Sequence, residues 1–493
     1  MIFPESRARL GSPASTRESI AGWGVLPPRS GAKPLSWPLF LIVFALTAAC
    51  SPGRGAEKRA GAARPSIVLV VLDTVRADRL TRPSPGTGTL ATPTLDAFAR
   101  TAIVYDNARS PAPMTMPAMA SVMTGRYPHS VGITGHSRAD RIRPGAETLA
   151  AAARSAGYRT AAVVTNPWLA HPASGFARDF ETFVSGHTLG RTRTRVPAAE
   201  VAQEAVRALE SQDPRPVLLW VHFLDAHMPY TDGEVRTPIT EDFAEGTAAR
   251  SRIFFEPPYS TADIAATRSA YDSAIARIDG ALAGLFDRLP PDAIVVVLAD
   301  HGESLGEHGL HFAHDFTLYD ELLRVPLIVR APGLAPGRDS TPVSLIDVLP
   351  TICALAGLDC ETDLDGLRLP RTGGDDQSSR FATRALYAAS SPLRARYRCP
   401  WLTVPGIEGR WTMTLVGQRK LIRIPTRNGS SYRAYDLTVD PGELVDRADL
   451  ERDEELIREL ETWSKEAAVE PTATTTYFPK QLTRELRELG YLE

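Results

Sequence analysis

The sequence has no marked excess of either charge. Its 493 residues include 55 lysines and arginines against 58 aspartates and glutamates, for a formal net charge of −3. No basic stripe of the kind that neutralises a nucleic-acid backbone occurs along the chain. Nucleic acid is therefore not an expected partner. The apolar and charged fractions are those of a folded protein, and the length suffices for one large domain and a smaller one.

Cysteine is scarce, with four residues in the whole chain. None of them is spaced with histidines in a zinc-binding pattern. In an exported protein, Cys360 could pair with Cys353 or with Cys399, or it could remain a free thiol, and the sequence alone does not choose.

Long hydrophobic runs are also lacking. The apolar stretch at 39–49 is shorter than the about 20 residues that cross a bilayer as a helix. Arg29 and Lys33 precede it and Cys50 follows it, which is typical of a secretory signal. The residues Leu-Thr-Ala-Ala-Cys resemble a bacterial lipoprotein processing site, and a plain signal peptide is the alternative. We therefore expect export to the periplasm or cell envelope, a signal within 1–49, membrane attachment through a lipid on Cys50 and a tether over 50–64.

Four continuous apolar runs predict strands that are buried on both faces. Helical patterns separate them, and the clearest carries one apolar stripe at spacings of three and four, from Tyr271 to Leu289. This alternation indicates an α/β fold whose mostly parallel sheet is covered by helices on both faces. The four runs are Ile67–Leu72, Ala161–Val164, Val217–Val221 and Ile294–Leu298.

Two other stretches break the pattern. Between 231 and 260 no periodicity survives, and this acidic segment predicts a long surface loop near the cleft. After 372 a polar run is followed by shorter strand-like segments and by a predicted helix over 453–468. These features predict a large domain over 65–372, and a smaller C-terminal subdomain with a helical tail over 373–493.

Acidic and histidine side chains follow two of the buried strands. Asp73 comes directly after the first, and Asp300 and His301 follow the last. Ligands bind at the carboxyl ends of strands in open parallel sheets. A mixed oxygen and nitrogen set suits manganese or zinc as well as magnesium. These residues are therefore candidate ligands of a divalent metal ion.

The run from Thr115 to Arg126 resembles the sulfatase motif of the alkaline phosphatase superfamily. Pro117 and the Thr-Gly-Arg at 124–126 match that motif, whereas Thr115 and Met119 depart from it. The segments 73–78 and 300–309 resemble the metal-binding motifs of the same family. The resemblance implies an alkaline-phosphatase-like central sheet with a small antiparallel C-terminal subdomain.

The resemblance also implies roles for individual residues. Asp73, Thr115, Asp300 and His301 would form a four-ligand metal site. His227 matches the histidine that supports the leaving group, and His314 falls where relatives touch the ester. Thr74 replaces the second acid of the common paired form, which weakens the case for calcium among the candidate ions manganese, zinc, magnesium and calcium.

Other polar residues have simpler interpretations. His222 lies within a buried strand and is expected to be a core residue, and Asn166 precedes proline as in a turn. His308 and His311 lie near the second motif and are expected either at the surface or in the site.

Thr115 excludes the usual sulfatase nucleophile, because formylglycine is made from cysteine or serine. A metal ion can activate a threonine hydroxyl, as in threonine-using relatives that act on phosphorus. The leading hypothesis is a metal-dependent hydrolase or transferase of phospho- or sulfo-esters, acting on a small molecule, glycan or lipid headgroup. The alternatives are a true sulfuric ester hydrolase and a non-catalytic lipoprotein that binds sulfated or phosphorylated glycans.

Overall fold

The computed structural model describes residues 64–80, 92–137, 140–186, 188–189, 196–230, 236–245, 259–371, 378–393 and 409–468. The expected signal, Cys50 and all of the tether except Arg64 lie outside these ranges. From Ala62 onwards the chain forms one compact unit. Within the described ranges, no helix combines the length and the apolar character that a membrane span requires.

A large sheet of eight strands forms the centre of the molecule, in the order β11-β2-β10-β7-β1-β6-β4-β5. All neighbouring strands are parallel except for β10, which runs antiparallel to both β2 and β7. The predicted mostly parallel α/β architecture is confirmed. The strands are β1 Ile67–Leu72, β2 Ile103–Tyr105, β4 Arg159–Val164, β5 Thr182–Val184, β6 Val217–Phe223, β7 Ile294–Leu298, β10 Leu327–Arg330 and β11 Gly337–Asp339.

Strand β1 shows why these apolar runs become central strands. It lies between β6 and β7, in parallel register with both. Its branched side chains alternate between the two faces of the sheet, and every one of them is fully buried. Burial on both faces removes the polar alternation of a solvent-exposed sheet. The two short two-stranded sheets pair β3 Ala108–Arg109 with β12 Val343–Ser344, and β8 Ser304–Leu305 with β9 His311–Ala313.

Twelve helices are described. The 26-residue α8 starts at a capping box formed by Ser260 and Asp263, and it buries the predicted stripe from Tyr271 to Leu285. The helices are α1 Ala77–Leu80, α2 Pro93–Ala99, α3 Thr115–Thr124, α4 Leu149–Ser155, α5 Pro167–Ala170, α6 Ala198–Leu209, α7 Pro238–Glu245, α8 Thr261–Phe286, α9 Asp320–Leu323, α10 Val348–Ala356, α11 Ser378–Ala382 and α12 Glu454–Ala467.

Helix α7 corrects the expectation of a continuous loop between 231 and 260. Thr237 and Thr240 exchange hydrogen bonds between their backbone N–H groups and hydroxyls, which closes the first turn. Ile239 and Phe243, four residues apart, are both buried. A single apolar pair is too short to register as periodicity, and this is why the helix was missed. Residues 231–235 and 246–258 lie outside the described part.

The C-terminal region contains a four-stranded antiparallel sheet in the order β13-β14-β15-β16, as predicted. Trp411, Met413 and Leu415 alternate along β14 and are buried, and α12 packs against the sheet through Leu460. The strands are β13 Ala385–Leu393, β14 Gly409–Val416, β15 Arg419–Thr426 and β16 Gly429–Asp436. A disulfide joins Cys353 to Cys360, one of the pairings that the sequence left open.

Candidate functional site

Three predicted metal ligands meet at the carboxyl edge of the central sheet. Asp73 follows β1, whereas Asp300 and His301 follow β7, which is the parallel neighbour of β1. Neighbouring parallel strands end at the same edge, so the residues that follow them converge. One ligand atom from each of the three residues lies within 4.8 Å of the others, and all three side chains are buried. This group could hold a metal ion.

In both Asp73 and Asp300, one carboxylate oxygen accepts hydrogen bonds from the protein and the other does not. Oδ2 of Asp73 accepts hydrogen bonds from Asn166 Nδ2 at 3.0 Å and His222 Nε2 at 2.9 Å. Oδ1 of Asp300 accepts from the backbone N–H of His301 at 2.9 Å and of Thr74 at 3.3 Å. The other oxygens, Asp73 Oδ1 and Asp300 Oδ2, are buried without a hydrogen-bond partner. Buried oxygens of this kind are what a cation would satisfy.

The His301 ring is oriented for the same centre. Its Nδ1 lies 2.9 Å from the Gly302 carbonyl oxygen and therefore carries the proton. Nε2 then presents its lone pair, at 3.5 Å from Asp300 Oδ2 and 4.0 Å from Asp73 Oδ1. Two carboxylate oxygens and a neutral imidazole nitrogen fit a divalent ion such as manganese, zinc or magnesium.

The two acids differ in their electrostatics. Burial alone would raise the pKa of Asp73, but the hydrogen bond and charge of His222, with His227 and His301 nearby, lower it below its ordinary value. For Asp300, burial and repulsion from Asp73 raise the pKa. A bound cation would favour the ionised form of both carboxyls.

Thr115 lies beside this group, at the first position of α3. Its Oγ1 is 3.2 Å from His301 Nε2, and the residue is fully buried. The first turn of a helix directs backbone N–H groups and the positive end of the helix dipole outwards. Thr115, one of the two motif residues that depart from the sulfatase pattern, therefore lies against the candidate ligands.

Two further histidines complete the predicted set. His314 Nδ1 lies 3.0 Å from Glu303 Oε1, while the Tyr230 hydroxyl donates to Glu303 Oε2 at 3.0 Å. Burial would lower the pKa of His314, but the carboxylates of Glu303 and Asp315 raise it to about 9. The His314 ring centroid is 4.6 Å from that of His301. His314 therefore lies beside His301, one of the candidate ligands.

The His227 ring also lies close to that of His314, with the two centroids 5.0 Å apart and the rings edge to face. Its Nδ1 lies 2.7 Å from the Met228 carbonyl oxygen, to which it donates. Nε2 is consequently the nitrogen that can take up or release a second proton. All six residues named by the sequence motifs are therefore brought into one region.

Several residues of this region were missed or interpreted differently from the sequence. His222 is buried in β6 as expected, yet it also orients Asp73. Asn166 caps α5 through the Trp168 N–H and donates to Asp73 as well. A polar residue at or just after the end of a buried strand was the available signal for both.

Glu303, Asp315 and His136 were given no role from the sequence. Glu303 lies within the metal-binding segment 300–309, and His136 comes from a loop 21 residues after Thr115. His136 Nε2 accepts the Met116 N–H at 3.1 Å. Burial, together with the nearby His314 and His301, holds the His136 pKa well below its ordinary value.

His308 and His311 lie away from the site. His308 Nδ1 bonds Glu321 at 2.8 Å, and its ring stacks on Tyr319 at the contact with the C-terminal sheet. His311 belongs to the short strand β9 and is half-buried.

Known proteins share both the sequence pattern and this fold. A model of the sulfatase family matches residues 65–358. The choline-sulfatase of Rhizobium meliloti is 25% identical over 454 residues, which cover 78% of this chain and 83% of that protein. The phosphonate monoester hydrolase of Agrobacterium radiobacter superposes with a TM-score of 0.60 at 20% identity, covering 82% of this chain and 94% of that one. A protein in complex with its substrate D-glucosamine-2-N,6-O-disulfate superposes with a TM-score of 0.61 at 18% identity, covering 82% and 98%.

Proposed function

The chain belongs to the sulfatase family of ester hydrolases, and we propose that it is a metal-dependent hydrolase of phospho- or sulfo-esters with Thr115 as its nucleophile. One observation carries this proposal. Thr115 Oγ1 lies 3.2 Å from His301 Nε2, in a group whose Asp73 Oδ1 and Asp300 Oδ2 have no hydrogen-bond partner. Asp73, Asp300, His301 and Thr115 would together hold the ion.

When bound, a divalent cation would lower the pKa of the Thr115 hydroxyl, so that its proton is released to solvent, and would offset the charge of the ester oxygens. Every later step uses the side chains of this chain. Oγ1 of Thr115 forms a bond to phosphorus or sulfur as the bond to the leaving oxygen breaks. The leaving oxygen takes a proton from His227 Nε2.

The second half of the reaction regenerates the site. His227 Nε2 takes a proton from water, the water oxygen attacks phosphorus or sulfur, and the bond to Thr115 Oγ1 breaks. His314, held by Glu303 through Nδ1, donates from Nε2 to the non-bridging oxygens as their charge develops. If an acceptor alcohol takes the place of water, the same steps give a transferase.

One consideration favours phosphorus over sulfur. Thr115 cannot be converted to formylglycine, so release of a sulfated threonine would require attack on sulfur rather than elimination. A true sulfuric ester hydrolase is the second candidate, which the similarity to choline-sulfatase favours.

The test compares matched nitrophenyl sulfate, phosphate monoester, phosphate diester and phosphonate with manganese, zinc, magnesium or calcium supplied. A soluble form that starts after Cys50 is used, with Thr115→Ala as its matched variant. Faster metal-dependent turnover of a phosphorus ester, lost in Thr115→Ala, supports the proposal, whereas preferred sulfate release supports the second candidate. Turnover that survives Thr115→Ala contradicts the nucleophile. Binding of a sulfated sugar without any turnover would indicate a binding protein.

We also propose that the protein is exported and attached to the membrane through a lipid on Cys50. The apolar run at 39–49 and the small residues before Cys50 support this proposal. Cells that express the full chain should incorporate labelled palmitate into the protein, and Cys50→Ser should abolish the label. An unlabelled, released protein would contradict the anchor and leave a plain signal peptide.

A further inference from the structure

The helix that carries Thr115 lacks an ordinary N-terminal cap. Met114 occupies the N-cap position of α3 and makes no side-chain hydrogen bond to the first turn. The first N–H groups of any helix have no partner within the helix and need one from elsewhere. For Met116, the residue directly after Thr115, this partner is His136, whose Nε2 accepts the N–H at 3.1 Å.

The His136 ring is fixed in its plane by Trp168. The two rings are nearly parallel, with an angle of 15° and centroids 5.4 Å apart. Trp168 itself is buried and lies two residues after Asn166, which donates to Asp73. One short turn therefore supports both a candidate metal ligand and the cap of the nucleophile helix.

The loop that presents His136 is itself held on both sides. Asp140 accepts three backbone N–H groups through its carboxylate, those of Thr134, Gly135 and Ser137. From the C-terminal sheet, Arg410 donates to the Thr134 carbonyl oxygen. Holding a loop in one conformation costs conformational entropy. In this protein the ordered loop places the imidazole of His136 at the buried edge of the central sheet.

The opposite edge of the His136 ring, which carries Nδ1, is directed towards Asp315, the residue that follows His314. Because Nε2 accepts, Nδ1 carries the proton, and it lies 3.9 Å from Asp315 Oδ1. Asp315 Oδ1 is also 3.9 Å from His314 Nε2. His136 thus lies between the backbone of the nucleophile and the residues that surround the candidate imidazolium.

We propose that His136 is a positioning residue, which holds Thr115 Oγ1 in line for attack by capping the first turn of α3. This inference rests on Thr115 being the nucleophile. Its role is to set the backbone of the nucleophile rather than to touch the ester. A displacement of about 1 Å at a reacting group can cost on the order of 100-fold in rate.

Three substitutions of His136 distinguish a role in capping α3 from a role in packing alone. In His136→Gln, the side-chain amide oxygen reaches the position of Nε2 and can accept the Met116 N–H. His136→Asn is polar but too short to do so, and His136→Leu removes the acceptor altogether. His129→Gln is the matched control, because this half-buried histidine stacks on Tyr127 and meets Trp463 edge to face, outside the site.

We expect kcat to fall about 10- to 100-fold in His136→Asn and His136→Leu with little change in KM, and to recover largely in His136→Gln. Crystal structures of the same variants give a readout that does not depend on turnover. Thr115 Oγ1 should move away from His301 Nε2 in the Asn and Leu variants and return to it in the Gln variant.

An unchanged Thr115 position in His136→Asn, or equal kcat in all the variants, overturns the inference. Loss of turnover in Thr115→Ala with no effect of the His136 variants would overturn it while leaving the proposed function intact. If Thr115→Ala keeps its turnover, the proposed function fails, and the inference fails with it because Thr115 is then not the nucleophile.

Discussion

Thr115 Oγ1 and His301 Nε2 lie 3.2 Å apart, although they are separated by 186 positions in the chain. His301 donates a hydrogen bond from Nδ1–H to the Gly302 carbonyl oxygen. Its Nε2 is therefore unprotonated, and the lone pair of Nε2 faces the Thr115 hydroxyl. The contact joins the first turn of α3 to the end of β7. It places a hydroxyl, an imidazole and two carboxylates around one point.

From this contact we predict a covalent intermediate on Thr115. After an acid quench of a reaction with the best substrate, mass spectrometry should find one phosphoryl or sulfuryl group on the peptide that contains Thr115. Thr115→Ser keeps the hydroxyl and should keep the adduct and most of the turnover. Thr115→Ala should lose the adduct and at least about 1,000-fold in turnover, with metal content largely retained through Asp73, Asp300 and His301. An adduct on another residue would contradict the assignment.

A second prediction concerns the support of Asp73. His222 Nε2 donates to Asp73 Oδ2, which turns Oδ1 towards the centre of the ligand group. Partners of this kind typically contribute 10- to 100-fold in metal affinity. His222→Leu should therefore weaken manganese binding by about that factor, as measured by titration calorimetry. His222→Gln retains a donor and should lose less, and equal affinity in all three proteins would exclude this role.

The third prediction is a pH dependence. Because Glu303 and Asp315 raise the pKa of His314 to about 9, His314 is cationic at neutral pH and loses its second proton as the pH rises through 9. The alkaline limb of kcat should therefore fall near pH 9, or lower when a divalent cation is bound nearby. Glu303→Gln removes the charge that pairs with Nδ1 and should move this limb down by at least about 1 pH unit.

Tyr230→Phe is the control for that shift. It removes a hydrogen bond to Glu303 Oε2 but leaves the carboxylate charge in place. The limb should therefore stay close to that of the unsubstituted protein. Identical pH profiles for Glu303→Gln and the unsubstituted enzyme would show that His314 does not set the limb.

The central strands were predictable because burial on both faces leaves a continuous apolar run, as in β1 and β7. Strands β2, β5 and β11 have three residues each, and so short a segment shows no pattern. Helix α3 is buried on all sides, so it has no apolar stripe. This run was therefore identified only by its resemblance to a family motif, and the helix itself was not predicted.

The site divides in the same way. Asp73, Asp300 and His301 could be predicted because they follow strands that run in parallel, and strand ends converge. Glu303 lies in the recognised segment 300–309, but its role depends on contacts with His314 and Tyr230. His136 lies in a loop whose position depends on Arg410. The sequence does not show these contacts, because they are set by the tertiary structure.

The last prediction concerns the buried ionic cluster that joins the C-terminal sheet to helix α9 and strand β3. Lys420 Nζ, from β15, lies 2.8 Å from Asp320 Oδ1 and 2.8 Å from Glu443 Oε1, and Arg109 bonds Asp320 Oδ2 at 2.6 Å. Burial raises the pKa of Glu443 to about 7, with Asp320 and Glu321 adding to the effect although Lys420 opposes it. This folded-state value is above the ordinary 4.5, so ionisation of Glu443 lowers stability as the pH rises towards 7.

Lys420→Met removes the cation that both carboxylates share, and breaking a buried pair in this way costs about 3–5 kcal/mol. The loss should be larger at pH 8 than at pH 5.5, because Glu443 is ionised only at the higher pH. Urea unfolding at the two pH values measures it. Lys465→Met, on the exposed face of α12, should stay within about 0.5 kcal/mol of the unsubstituted protein. If Lys420→Met were equally stable at pH 8, the cluster would not stabilise the contact of the C-terminal sheet with helix α9.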